Sequence, residues 1–176
     1  MKAGPRDFET ARLYGHRPAA GDLEELQSLL ADPRVGATLG GVRSAAQVAA
    51  LLLRFIEHWQ RRGFGPFILH ESAAGDFVGY AGLIETRAEA LPGEIELLYA
   101  LRPIYWRRGY ASEASREALA RGFGAWDLDG VVAFTLPRNR ASWGVMEKVG
   151  MVRSGEIEHA GERHLLYRAA PEKRRA

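Results

Sequence analysis

Arg107, Arg108 and Gly109 stand directly before apolar or small residues at 111, 114, 115, 118, 119, 122, 123 and 126. That spacing is the signature of a helix with one buried face. Two guanidiniums and a glycine at a helix entrance make an anion seat. The first backbone N–H groups of a helix lack internal partners, and the helix dipole is positive there. Glycine adds close approach or positive φ. The combination suits a phosphate. Asn139 opens a second, shorter helical stretch, a common place for a capping Asn. The five histidines (16, 58, 70, 159 and 164) fall in no metal-ligand spacing, so no metal is expected. The absence of cysteine excludes disulfides and thiolate metal sites.

The elements that position these residues are readable along the chain. Ala11–Arg17 is a short strand ended by Pro18. Gly21-Asp22 opens a helix with Leu23, Leu26, Leu29 and Leu30 on one side, ended by Asp32-Pro33. Ser44 and Gln47 have the spacing of a capping box. Behind them Ala45, Val48, Ala49, Leu52, Phe55, Ile56 and Trp59 form a core stripe closed by Arg61-Arg62-Gly63. Phe64–Glu71 and Phe77–Thr86 fit an antiparallel hairpin with a five-residue loop. After a polar turn at Arg87–Gly93 comes a strand, Glu94–Leu101, stopped by Pro103. Gly130–Leu136 is a nearly continuous apolar strand, as expected of one covered on both faces. The strand–helix–strand run from 94 to 136 is a crossover unit; strands sharing a sheet through it run parallel, with a right-handed connection. A short helix, Ala141–Val149, is capped by Gly150. Val152–Ile157 and His164–Arg168 close the chain as a hairpin across Glu158–Glu162.

Length and composition bound the rest. The 176 residues support one domain with a proper core, about 9–169, followed by a basic tail at 171–176. Apolar content of 47% and charged content of 26% are ordinary for a globular protein. The net charge of +2 is small, and the pI of 9.1 partly reflects the terminal Glu-Lys-Arg-Arg-Ala, so nucleic acid is not an expected partner. No apolar run approaches a membrane span, and the N-terminus lacks the apolar core of a signal peptide, so a cytoplasmic location is expected.

Three stretches, in order, carry a family resemblance. Glu9-Thr10-Ala11-Arg12-Leu13 resembles E-T-x-R-L. Tyr105-Trp106-Arg107-Arg108-Gly109-Tyr110-Ala111-Ser112-Glu113-Ala114 resembles Y-W-G-K-G-Y-A-T-E-A. Asn139-Arg140-Ala141-Ser142 with Glu147-Lys148-Val149-Gly150-Met151 resembles N-x-A-S…E-K-x-G-F. Together they resemble the RimJ/RimL-like branch of the GNAT superfamily of acyl-CoA-dependent N-acetyltransferases. The resemblance implies the GNAT-like α/β fold, a mixed, mostly antiparallel sheet flanked by helices, with one parallel βαβ crossover at two splayed strands. It implies acetyl-CoA as co-substrate. The pantetheine arm would lie in the gap and bond the backbone of Leu98, Tyr99, Ala100 and Leu101, much as an added strand would. The pyrophosphate would meet Trp106, Arg107, Arg108, Gly109, Tyr110 and Ala111, and Asn139, Ser142 and Lys148 would complete the cofactor contacts. Arg107 departs from the branch, which usually has Gly there; a positive φ would strain an Arg, although its charge suits phosphates.

The implied chemistry is amine attack on a thioester. At pH 7 deprotonating an α-amine costs about 1 kcal/mol and a lysine about 4.6 kcal/mol, so an α-amine needs little beyond positioning and a proton path. Glu96, at the acidic position of the strand resembling the branch's E-I-G-Y, is the first base expected, with Glu94 on the same strand face as backup. A backbone N–H near Leu98 to Ala100 would serve the oxyanion. Many superfamily members use a Tyr to protonate the leaving thiolate; here that position is Met146, and Ser142 is the nearby hydroxyl. With no cysteine and no Ser–His pairing, direct transfer in a ternary complex is expected. The acceptor is then a primary amine, a protein N-terminus as in the branch, with a small amine or aminoglycoside-type antibiotic as the rival. A non-catalytic acyl-CoA-binding module and an RNA- or ribosome-docking protein are rivals of other kinds. Homodimers are common in the branch.

Overall fold

The computed structural model describes residues 6–171, so the basic tail beyond Pro171 and the first five residues lie outside the described part. Eight strands form one sheet: β1 (Phe8–Glu9), β2 (Leu13–His16), β3 (Pro66–Glu71), β4 (Phe77–Glu85), β5 (Ile95–Leu101), β6 (Val131–Thr135), β7 (Val152–His159) and β8 (Glu162–Ala169). Their order is β1-β2-β3-β4-β5-β6-β8-β7, and every pairing is antiparallel except β5 with β6. Five helices accompany it: α1 (Leu23–Leu30), α2 (Pro33–Gly36), α3 (Ala45–Arg62), α4 (Tyr110–Gly124) and α5 (Arg140–Lys148).

The helices divide between the two faces as their apolar stripes require. On one side Leu26, Leu29 and Leu30 of α1 and Val48, Leu52 and Phe55 of α3 pack on Ile68, Tyr80 and Ile84. On the other, Ala118 and Leu119 of α4 and Met146 of α5 pack on Leu83, Leu97, Val131 and Tyr167. Gly122 lets α4 approach the sheet, because a Cβ there would stand 2.5 Å from Leu83 Cδ1. The capping box holds: Gln47 N–H donates to Ser44 Oγ, Ser44 N–H to Gln47 Oε1, and Gly63 ends α3 in the left-handed region at φ 73°.

Three local details refine the sequence reading. Asp32-Pro33 follows the end of α1 at Leu30, as expected, and also starts α2: Asp32 accepts from Arg34 N–H and Pro33 takes the first helical position, where its missing N–H costs nothing. The closing hairpin is tighter than Glu158–Glu162, because Ala160 (φ 52°) and Gly161 (φ 75°) make a two-residue turn of positive φ, the hand that matches strand twist. The two-residue β1 edge strand was not anticipated; it pairs Phe8 with Gly15 and Glu9 with Tyr14.

The feature that matters for function is the splay between β5 and β6. β4 and β5 pair along the whole length, from Glu85–Ile95 to Gly79–Leu101. β5 and β6 register only at Glu96–Val132. Beyond Glu96 the β6-side edge of β5 lacks a partner strand, leaving backbone donors and acceptors facing a gap.

Candidate active site

That gap opens into a cavity of about 1000 Å³. Its two ends are about 17 Å of extended strand apart, the length of β5 from Glu96 to Leu101.

The far end is the loop from β5 into α4. Pro103–Tyr105 form one 3-10 turn, and Trp106 Nε1 donates to the Leu101 carbonyl at 2.7 Å, tying the loop to the strand end. Arg107 then adopts φ 60° and Gly109, the residue before α4, φ 82°. The N–H groups that open α4 therefore emerge from a doubly left-handed bend, a nest suited to anions. Arg107 does carry the positive φ that the sequence raised as a source of strain. An Arg there costs about 1 kcal/mol or more relative to Gly.

The sequence did not reveal what holds this loop. Glu113 of α4 accepts from Thr10 Oγ1 (2.6 Å), Arg12 N–H (2.9 Å) and Arg12 Nε (2.7 Å), and lies 2.6 Å from Arg12 Nη2. Arg12 Nη1 donates to the Arg108 carbonyl at 2.9 Å, and its guanidinium lies 4.3 Å from the Tyr110 ring centre. Two of the matched motifs thus meet in space, the first bracing the second. Burial pushes the Glu113 carboxyl up, but the Thr10 and Arg12 donors outweigh it and leave it below its ordinary value.

At the near end stands Glu96, half-buried and registered between Ile84 on β4 and Val132 on β6. Burial pushes its carboxyl up to about 7, with Arg54 of α3 and then the Thr86 hydroxyl pulling the other way. A carboxyl that titrates near neutrality is poised to take and return protons. Glu94 is not so placed. It receives a bidentate pair of bonds from Arg168, both 2.8 Å, and does not line the cavity. The backup base is therefore set aside.

Between the ends, Tyr99 reaches across to α5. Its hydroxyl lies 3.0 Å from Ser142 Oγ and donates to the Ser142 carbonyl at 2.9 Å, and burial pushes it up to about 12. Asn139 caps α5 by accepting from Ser142 N–H at 3.2 Å, and donates to the Thr38 carbonyl at 3.4 Å. Met146 is buried and offers no proton.

Of the residues singled out from sequence, Glu96, Leu98, Tyr99, Ala100, Leu101, Trp106, Arg107, Gly109, Tyr110, Ala111, Asn139, Ser142 and Lys148 line this one cavity. Arg108 does not; its carbonyl faces Arg12. Among the described residues no group of three or more His, Asp or Glu side chains has metal-binding geometry. An open strand edge running from a carboxyl of neutral pKa to a nest at a helix N-terminus fits an elongated ligand with a diphosphate at one end, as acetyl-CoA has.

Comparison with known proteins agrees with this geometry. The acetyltransferase (GNAT) domain family matches residues 12–152. The uncharacterized protein YkkB of Bacillus subtilis is 31% identical over 135 residues, 73% of this chain and 74% of that one. An acetyltransferase from Agrobacterium tumefaciens has the same fold, with a TM-score of 0.84 at 23% identity over 97% of this chain and 98% of that one. The fold is shared too by the ribosomal-protein-S5-alanine acetyltransferase of Vibrio fischeri (TM-score 0.76, 18% identity, 94% and 97% covered). Another such structure is the aminoglycoside acetyltransferase AAC(6')-Ib in complex with coenzyme A (0.74, 17%, 90% and 94%). This chain belongs to the GNAT family and is an acetyl-CoA-dependent acetyltransferase.

Proposed function

We propose that the protein is a RimJ/RimL-like N-acetyltransferase that acts on a primary α-amine, such as a protein N-terminus, by direct attack in a ternary complex. The observation that carries this reading is the Glu96 carboxyl at about 7, where β5 and β6 part. An α-ammonium near 7.7–8 and a base near 7 are almost matched, so proton transfer is about 1 kcal/mol uphill. A lysine side chain at 10.4 would face about 4.6 kcal/mol. The site is tuned for the first.

Acetyl-CoA supplies an acyl thioester. The 107–111 nest and Arg107 hold its diphosphate, and the free edge of β5 at Leu98–Leu101 aligns its arm. A β5 N–H near Leu98 to Ala100 donates to the developing oxyanion. Glu96 takes the ammonium proton. Tyr99 and Ser142 form the hydroxyl pair on the opposite wall. A phenol near 12 transferring its proton to a thiolate of pKa near 8.5 would run about 5 kcal/mol uphill, so the pair assists by hydrogen bonding. A purely acyl-CoA-binding role would give no reason for a base of neutral pKa.

Calorimetric titration with acetyl-CoA, comparing wild type with Gly109→Trp, tests the binding half; binding is expected in the first and lost in the second. Thiol release with α-amine peptides tests the catalytic half. Tight binding without thiol release on any amine would refute the enzymatic assignment of these residues.

A further inference from the structure

The cavity end around Glu96 is unusually cationic. Arg43 from the loop before α3, Arg54 of α3 and Arg87 from the turn after β4 all line it. Among the described residues, Arg43 and Arg87 make no ion pair and no side-chain hydrogen bond, and Arg54 donates only to the Glu85 carbonyl, at 2.6 Å. Elsewhere guanidiniums are commonly matched with carboxylates, as in Arg12–Glu113, Arg61–Glu85, Arg121–Glu117 and Arg168–Glu94. The second acid lining this region, Glu162, is already engaged by Arg138 at 2.9 Å. Glu85, which also lies within the field of Arg54, is engaged by Arg61 at 3.3 Å, so among the described residues Glu96 is the acid left to oppose the three cations, and its carboxyl is about half neutral near pH 7. Arg54 is partly withdrawn from water and sits within the field of Arg87, both of which hold it below its ordinary value. Two guanidiniums thus lie within each other's field, the Arg54 one partly desolvated, and neither is paired with a carboxylate among the described residues. Such an arrangement attracts an anion and repels a second positive charge.

Resting on the α-amine reading above, we propose that the acceptor carries an anionic group, a carboxylate or phosphate, within a few ångströms of the reacting amine, recognised by Arg54 and Arg87 with Arg43 at the rim. That chemistry is found in a peptide N-terminus followed by an acidic residue and in a small amino-phosphate. It is absent from polyamines and aminoglycosides, whose extra ammonium groups would face the same guanidiniums.

The test compares amines that differ chiefly in the charge carried beside the reacting group. Amidated Ala-Glu, Ala-Gln and Ala-Lys peptides present α-amines in near-identical settings. Phosphoethanolamine against ethanolamine is the small-molecule arm, and an aminoglycoside is the cationic control. Thiol release is measured with wild type and Arg87→Glu at low and moderate salt; Arg87 is exposed, so the swap is compatible with folding. The anionic member of a pair is expected to exceed the neutral one about ten-fold or more in kcat/KM, through KM, with the cationic member lowest. Arg87→Glu is expected to erase or invert that order, and added salt to narrow it. A peptide preference identifies an acidic N-terminus as the source, a phosphoethanolamine preference a small amine. Equal or better use of neutral or cationic amines overturns the inference and leaves the base assignment standing. If no amine turns over, calorimetric binding of Ala-Glu and Ala-Gln to the CoA-loaded protein decides. A wild-type preference for Ala-Glu lost in Arg87→Glu sustains the anionic site and sinks only the catalytic reading. No preference overturns both.

Discussion

Replacing Glu96 by Gln should make the protein more stable and less active, and the stability effect should depend on pH. Burial raises the folded-state carboxyl from the ordinary 4.5 to about 7. Below 4.5 the carboxyl is protonated in folded and unfolded chains alike, and its ionisation costs nothing. Between 4.5 and 7 the unfolded chain has released the proton and the folded chain has not, so stability falls as pH rises. Above 7 the loss is complete. At 1.36 kcal/mol per pH unit the gap amounts to about 3 kcal/mol at most, less where cavity water reaches the carboxyl. Gln has no proton to lose and escapes this cost. For a domain of this size Glu96→Gln should therefore raise Tm by up to about 10 °C at pH 8, and by about 2 °C at pH 5. Thermal unfolding followed by circular dichroism at the two pH values reads the difference. An equal effect at both, or a variant less stable than wild type at pH 8, would refute the claim that Glu96 is held near neutrality by burial.

Other perturbations probe the remaining parts. Arg12→Ala removes the side-chain brace on Glu113 and the Arg108 carbonyl; acetyl-CoA should bind about ten-fold more weakly, with a stability loss of about 1–2 kcal/mol, and unchanged calorimetric affinity would show the nest holds its shape alone. Because Glu113 is held below its ordinary value, the brace is intact above about 4.5 and lost as pH falls further, so acetyl-CoA affinity should decline at the acid end, more steeply in wild type than in Arg12→Ala, which keeps only the Thr10 and backbone donors. Arg107→Gly relieves a left-handed Arg and should cost no stability, gaining up to about 1 kcal/mol, while weakening acetyl-CoA by one lost charge; a clear drop in Tm would mean that the φ of 60° is not strained. Tyr99→Phe removes the hydroxyl shared with Ser142 and should lower kcat about ten-fold with little change in the acetyl-CoA affinity; an unaltered kcat would leave the pair as a tie between β5 and α5.

What sequence could reveal followed the range of the interaction. Signals contained within one element were legible, such as Ser44 with Gln47, Gly63 in the left-handed region and the stripe of α3. The crossover from β5 through α4 to β6 was readable from element lengths and apolar runs, and the seat at Gly109 from charge and spacing. Where one local signal had two physical meanings, the choice was open: Asp32-Pro33 both stops a helix and caps one. Ala160-Gly161 hid its turn because Ala rarely adopts positive φ. The site depended most on partners distant in sequence. Glu94 and Glu96 are equivalent by alternation along a strand, and only Arg168, placed by β8, separates them. The brace between Arg12 and Glu113 joins residues about a hundred positions apart, so each motif was visible and their contact was not. The cationic character of the acceptor end likewise comes from three elements, each carrying one unremarkable arginine.

The central claim is that Glu96 is the base for an α-amine acceptor. Its most direct test is the pH dependence of kcat/KM for an α-amine peptide at saturating acetyl-CoA, in wild type and Glu96→Gln. The wild-type profile should rise through two ionisations, one near 7 from the enzyme and one near 8 from the amine, and the first should vanish in the variant along with most of the rate. A wild-type limb near 7 that persists in Glu96→Gln at comparable rate would contradict the account.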